Sequence, residues 1–335
     1  MMPYAGSTIA VRPNVAMARR GRIAACEGAS QPMASAVSPS AFSGPILTVS
    51  SATSWLATID RRLGQLIPEP DGAGDILPHV VRSALCGPGK RVRPVMAMMA
   101  CEHVGGDPAD ALDFGCAVEM MHASSLVLDD LPCMDDASLR RGAPALHRAH
   151  GEDAAVLASI ALLNQAFATI LRAPDIRADQ RLALLDALTS AVGFQGLAHG
   201  QMRDLRDPAE ARDEPGLRRL NHLKTTALFL AALKGGAEIG DASPEQEAAL
   251  IAFGEIMGFA FQLCDDLQDR TAAAEDIGKD VGQDRDQRTF LDLWGVDEVR
   301  TRIRDAAAQA ETALGGPCAL ADYAAGLVRS AYVEL

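Results

Sequence analysis

From about residue 50 onward, apolar residues recur every three or four positions, the period of a helix with one buried face. Trp55, Leu56, Ile59, Leu63, Leu66 and Ile67 form one stripe; Ile76, Leu77, Val80, Val81, Ala84 and Leu85 form another, stopped by Gly87-Pro88-Gly89. Gly105-Gly106 ends the next helix, and Asp107-Pro108 predicts the start of one running to about Leu128. Further helices are predicted near 152–172, 178–205, 215–234, 244–270, 297–313 and 318–333. No alternating strand pattern and no fixed-period repeat competes with them. Only 4% of the residues are aromatic while alanine is abundant, a balance that suits helices better than strands. The expected fold is all-α, one large helical bundle over residues 51–335.

Residues 1–50 differ. They carry Arg12, Arg19, Arg20 and Arg22 against a single acid, Glu27, and are rich in Ala, Ser, Pro and Gly. Such a segment reads as a disordered tail or a start codon set too early, with an organellar transit peptide as the alternative. The whole chain has 31 Lys and Arg against 44 Asp and Glu, a net charge of −13, so attraction to nucleic acid is not expected. Any anionic ligand then needs a local basic cluster or bridging cations. The seven cysteines are widely spaced without a C-x-x-C pair, which points to reduced thiols and a cytoplasmic location. No stretch approaches ~18 consecutive apolar residues, so no membrane span is expected.

The chemistry concentrates in two acidic segments. Asp129-Asp130-Leu131-Pro132-Cys133-Met134-Asp135-Asp136 places four carboxylates at the end of an apolar helix, where they repel one another unless cations neutralise them. Such hard oxygen donors suit Mg²⁺, though a solvated acidic loop has the same composition. A second cluster, Asp265-Asp266 with Asp269, follows the stripe Phe253, Met257, Ala260 and Cys264; at helical spacing Asp265 and Asp269 share a face and Asp266 flanks them. Two such clusters facing each other can hold a diphosphate through bridging cations. Lys90, Arg91 and Arg93 follow the Gly-Pro-Gly turn at a helix start, which is either an anion site or a solvated basic helix end. Glu119-x-x-His122 occurs once, whereas a di-iron bundle needs two such motifs.

Taken together, these blocks resemble the trans-isoprenyl diphosphate synthase family. The resemblance rests on Asp129-Asp130 with Asp135, Arg140-Arg141-Gly142 and Asp265-Asp266-x-x-Asp269, with Gly89-Lys90-Arg91-Val92-Arg93-Pro94, Gly200-Gln201-x-x-Asp204, Lys224-Thr225 and Gly278-Lys279-Asp280 in the expected order. Through Leu128 to Asp136 the chain is most similar to bacterial geranylgeranyl diphosphate synthases of carotenoid pathways. The resemblance implies a central apolar cavity, Mg²⁺ held by Asp129, Asp135 and Asp265 with Asp130, Asp266 and Asp269 in support, and a homodimer. It implies that Lys90, Arg93, His122 and Arg141 hold isopentenyl diphosphate, while Arg140, Lys224 and Lys279 hold the allylic diphosphate. Thr225, Gln262 and carbonyls near Lys224 would lie beside the developing carbocation.

Chain length is expected to be set along the helix before Asp129, since one turn rises ~5.4 Å, close to one isoprene unit. Farnesyl-specific relatives carry a bulky aromatic about five residues before the motif; here that position is Ser124, with Met121 or Met120 one turn deeper as a floor. Geranylgeranyl diphosphate is the expected product. The alternatives are a farnesyl diphosphate synthase, a terpene cyclase, or a catalytically silent subunit of a heteromeric synthase. One departure is Asp286-Gln287-Arg288-Thr289, where relatives commonly carry Gly-Lys-Ser/Thr.

Overall fold

The computed structural model describes residues 49–72, 74–206, 213–271 and 288–333. Residues 1–48 of the expected tail, Lys279 and Gln287 lie outside the described residues, while Val49 and Ser50 already belong to the first helix. Helices alternate with short turns: α1 (Val49–Leu66), α2 (Leu77–Leu85), α3 (Val92–Val104), α4 (Leu112–Asp129), α5 (Leu146–His150), α6 (Glu152–Arg172), α7 (Ala178–Val192), α8 (Leu197–Arg206) and α9 (Glu214–Asn221). A five-residue π-helix, His222–Thr226, leads into α10 (Ala227–Ile239), α11 (Pro244–Thr271), α12 (Phe290–Ala313) and α13 (Ala319–Val333). The all-α expectation holds.

α3, α4 and α10 form the centre. From Val92 to Cys101 every residue of α3 is buried, and α10 is buried over nearly its whole length. Close approach needs small residues: a Cβ on Gly235 would stand 1.9 Å from the Phe114 ring, and one on Gly236 2.2 Å from the Ala97 carbonyl. α6 packs along α4 through Ala155, Ala158, Ser159, Leu162 and Ala166.

Three sequence expectations are corrected. Asp107-Pro108 opens a turn, and α4 begins only at Leu112. The stretch expected as one helix over 178–205 breaks between Val192 and Leu197, and that over 215–234 is interrupted by the π-helix. A hairpin, β1 (Leu139–Arg140) paired with β2 (Ala143–Pro144), was too short to show as alternation. Its turn residues Arg141 and Gly142 both have positive φ, 54° and 78°, as a tight two-residue hairpin requires.

Two helices are apolar in composition although neither is an unbroken apolar run. α6, and α11 over Pro244–Arg270, are by length and composition apolar enough to cross a membrane. Counting strictly apolar runs missed α6 because Ser159, Asn164, Gln165 and Thr169 interrupt it. Those polar side chains are satisfied within the protein: Asn164 donates to the Ile160 carbonyl, Gln165 to that of Leu66 and Thr169 to that of Gln165.

Candidate active site

A cavity of about 780 Å³ opens beside the C-terminal half of α4 and is lined from α3, α4, α6, α7, α8, the π-helix, α10 and α11. Its lining combines the charged and polar side chains Lys90, Arg93, His122, Asp129, Arg140, Arg141, Lys224 and Asp265 with Met121, Ser124, Leu128, Leu163, Val192 and Leu197. Both cations and carboxylates therefore border one largely apolar cavity.

The two acidic pairs divide their work in the same way. Asp130 is buried and clamped by Arg140, whose Nε stands 2.9 Å from Oδ1 and whose Nη2 also donates to that oxygen. Asp129 faces the cavity, and burial holds its carboxyl up to about 6, with Lys224 lowering it and the neighbouring Asp135 raising it. Asp135 is likewise raised, first by removal from water. In α11, buried Asp266 accepts from Gln262 Nε2 at 2.8 Å and from the Phe290 backbone N–H at 3.2 Å, tying α11 to the start of α12, while Asp265 lines the cavity. Asp269 lies one turn beyond Asp265 and does not line the cavity. Among the described residues no three carboxylate, histidine or cysteine groups stand together as a ready metal cage. The donor set still fits a hard divalent ion that takes its remaining ligands from a diphosphate: carboxylate oxygens bordering the cavity, one of them raised by desolvation to about 6.

The basic side is built around Glu119. Arg91, in the left-handed region at φ 47°, turns away from the cavity and is buried between Glu119 (2.9 Å), Asp60 (2.8 Å) and the Gly87 carbonyl (2.7 Å). Arg141 approaches Glu119 at 3.7 Å, and a Cβ on Gly89 would crowd both guanidiniums. Arg93 is stacked over the Phe229 ring at 4.7 Å, and burial pushes it down to about 10. His122, closed in by burial and then by Arg93, Arg141 and Arg140, is held well below its ordinary value, so it enters the site neutral. Glu119 thus serves arginines and not a di-iron centre.

Lys224 and Thr225 project from the π-helix, a local widening often found where a helix presents functional groups. Burial lowers the Lys224 ammonium's affinity for its proton, but Asp204, Asp129 and Asp135 outweigh it and the net shift is upward. Lys224 is ion-paired with Asp204. Gly200 permits this, since a Cβ there would stand 3.0 Å from Lys224 Cγ. Thr225 donates to Gln262 Oε1 at 3.0 Å, which joins the π-helix to the Asp266 network.

Of the chain-length residues, Met121 and Ser124 line the cavity, whereas Met120 is fully buried and is not among the lining residues. Ser124 turns its hydroxyl onto α6, 2.7 Å from Ser159 Oγ, and Ser159 donates in return to the Ser124 carbonyl at 3.2 Å. Arg91, grouped by sequence with Lys90 and Arg93 as a candidate anion site, is instead spent on Glu119 and Asp60; Asp204 appears in sequence only as part of its block, and nothing in the sequence singles out Ser159.

A family model for polyprenyl synthetases matches residues 75–293. The chain is 39% identical over 274 residues to a geranylgeranyl diphosphate synthase of Pantoea ananas, covering 81% of this chain and 89% of that one. Among solved structures it is similar to an apo FPP/GFPP synthase of Zymomonas mobilis (TM-score 0.73, 33% identity, 86% and 98% of the two chains). It is also similar to a geranyltransferase of Helicobacter pylori complexed with magnesium and isoprenyl diphosphate (TM-score 0.76, 25% identity, 88% and 100% covered). The chain belongs to the polyprenyl synthetase family. Within it, the similarity in sequence extends over most of a bacterial geranylgeranyl diphosphate synthase.

Proposed function

We propose that this protein condenses isopentenyl diphosphate with allylic diphosphates and releases geranylgeranyl diphosphate. The observation that carries the reading is the single cavity bordered by Asp129 and Asp265, by Lys90, Arg93, His122 and Arg141, and by apolar side chains. Asp129, Asp135 and Asp265 would hold magnesium together with the allylic diphosphate. Magnesium, when bound, neutralises the diphosphate and draws electron density toward the departing oxygen.

Arg140 and Lys224 add fixed positive charge beside the leaving group, and Lys279 is assigned the same role. Lys90, Arg93 and Arg141 hold the second diphosphate, with neutral His122 as a hydrogen-bond partner, and guanidinium forks suit its oxygens. As the allylic C–O bond breaks, the Thr225 and Gln262 oxygens stabilise the carbocation that the isopentenyl double bond attacks; the proton then leaves toward the departed diphosphate. Such preorganised electrostatics needs no protein nucleophile.

Ser124 leaves room for a chain longer than fifteen carbons, and Met121, one turn before it on α4, is assigned as the floor, with Leu163 and Val192 also lining the cavity. The exposed stripe Val156, Leu157, Ile160 and Leu171 on α6 gives a homodimer its contact face and accounts for the apolar composition of that helix without a membrane. We assign the protein to the cytoplasm, with the catalytic domain at 51–335.

Purified protein incubated with Mg²⁺, isopentenyl diphosphate and each allylic starter tests the reading, the products being sized. Twenty-carbon product from wild type is expected, and Ser124→Phe is expected to shift the main product to fifteen carbons. Fifteen-carbon product alone from wild type would favour the farnesyl reading, and an inactive protein that activates a partner would favour the silent subunit.

A further inference from the structure

His147 is the second residue of α5, just past the hairpin that carries Arg140 and Arg141. Its side chain is 3% exposed, and neither Nδ1 nor Nε2 makes a hydrogen bond. A buried imidazole ordinarily satisfies its ring nitrogens, and an apolar side chain would fill the same space without losing contact with water. The ring is therefore more than filling.

One carboxylate stands in reach: Asp136 Oδ1 lies 4.0 Å from Nε2, about one ångström beyond a hydrogen bond. Asp136 ends the first acidic loop. Its backbone is left-handed at φ 47°, its N–H donates to the Leu131 carbonyl at 3.1 Å, and its carboxylate accepts from Arg148 Nη2 at 2.6 Å. Asp135, joined to it directly, has its own N–H bonded to the Asp129 carbonyl at 2.9 Å, so displacement of Asp136 is passed to Asp135 and to Asp129, which lines the cavity.

We propose that His147 is a positioning residue for the first acidic loop: its buried ring takes up a hydrogen bond to Asp136 when the loop draws in around a cation–diphosphate, and thereby holds Asp129 and Asp135 in their binding arrangement. The inference rests on the metal–diphosphate reading of the site. It concerns only how the loop is held, because His147 touches neither substrate nor the candidate ligands.

The test compares wild type, His147→Phe, His147→Asn and Asp136→Asn. Binding of inorganic pyrophosphate with Mg²⁺ is followed by calorimetry, and the Mg²⁺ dependence of turnover is measured beside it. His147→Phe, which keeps the volume, is expected to raise the Mg²⁺ concentration for half-maximal turnover and to weaken Mg²⁺–pyrophosphate binding, each by about 3- to 10-fold, with turnover at saturating Mg²⁺ within about twofold of wild type. His147→Asn, which keeps a donor, should recover part of the loss. Asp136→Asn lies on the exposed side and bypasses any folding defect at residue 147; in the double variant with His147→Phe the two losses should not add. An unchanged Mg²⁺ dependence in His147→Phe, or additive losses, overturns the proposal. A wild-type protein that fails to bind Mg²⁺–pyrophosphate instead overturns the reading of the site.

Discussion

The two aspartate pairs each give one carboxylate to the same cavity, Asp129 and Asp265, and their buried members are held by different contacts. In each, one carboxylate is committed to structure and its neighbour lines the cavity. Asp130 is held by the Arg140 guanidinium, so the α4 end packs negative charges against a positive clamp and a nearby lysine; Asp266 accepts from the Gln262 amide and the Phe290 backbone N–H among its contacts. The α4 cluster contains Asp136 with a left-handed backbone and Asp129 with a carboxyl raised to about 6. A cation beside Asp129 would offset the cost of ionising it there.

Removing each clamp separates the two designs. Asp130→Ala leaves the Arg140 guanidinium without its close partner; because Arg140 keeps some contact with water, a loss of about 2–3 kcal/mol in urea unfolding is expected. Asp266→Ala removes the acceptor of Gln262 Nε2 and of the Phe290 N–H, and loss of these two bonds is expected to cost about 1–2 kcal/mol. A loss below about 1 kcal/mol in Asp130→Ala would contradict a clamping role for Arg140.

A smaller effect distinguishes the two clusters by pH. Because the folded state holds the Asp129 proton more tightly than the unfolded chain does, this group's contribution to stability is fully present below the ordinary carboxylate range. It is lost as pH rises through about 6. Without Mg²⁺, Asp129→Asn should therefore narrow any gap between the protein at pH 7.5 and at pH 5 in thermal unfolding, by a few degrees. In wild type, Mg²⁺ with pyrophosphate should stabilise more at pH 7.5 than at pH 5. A wild-type shift independent of pH would contradict the raised carboxyl.

Much of this site was legible because its residues recur in local blocks: Asp129 with Asp135, Arg140-Arg141, Lys224-Thr225 and Asp265-Asp266 lie in short segments whose helical spacing already sets which neighbours share a face. The helices were legible for the same reason. What escaped depends on partners distant in the chain. Nothing local distinguishes Arg91, buried on Glu119 and Asp60, from Arg93, two residues on and facing the cavity. The pairing of Lys224 with Asp204 and of Ser124 with Ser159 exists only once helices cross. The π-helix leaves no period to read, since it changes the pitch for five residues inside an otherwise regular helical stretch.

The most direct measurement is Mg²⁺-dependent turnover of Asp129→Ala, Asp265→Ala and the double variant, with folding verified by thermal unfolding. If the two clusters hold one cation–diphosphate between them, each single variant should lose at least about 10²- to 10³-fold in kcat. The double variant should then be little worse than either single one. Wild-type turnover in either single variant, or losses that multiply as for independent sites, would contradict it.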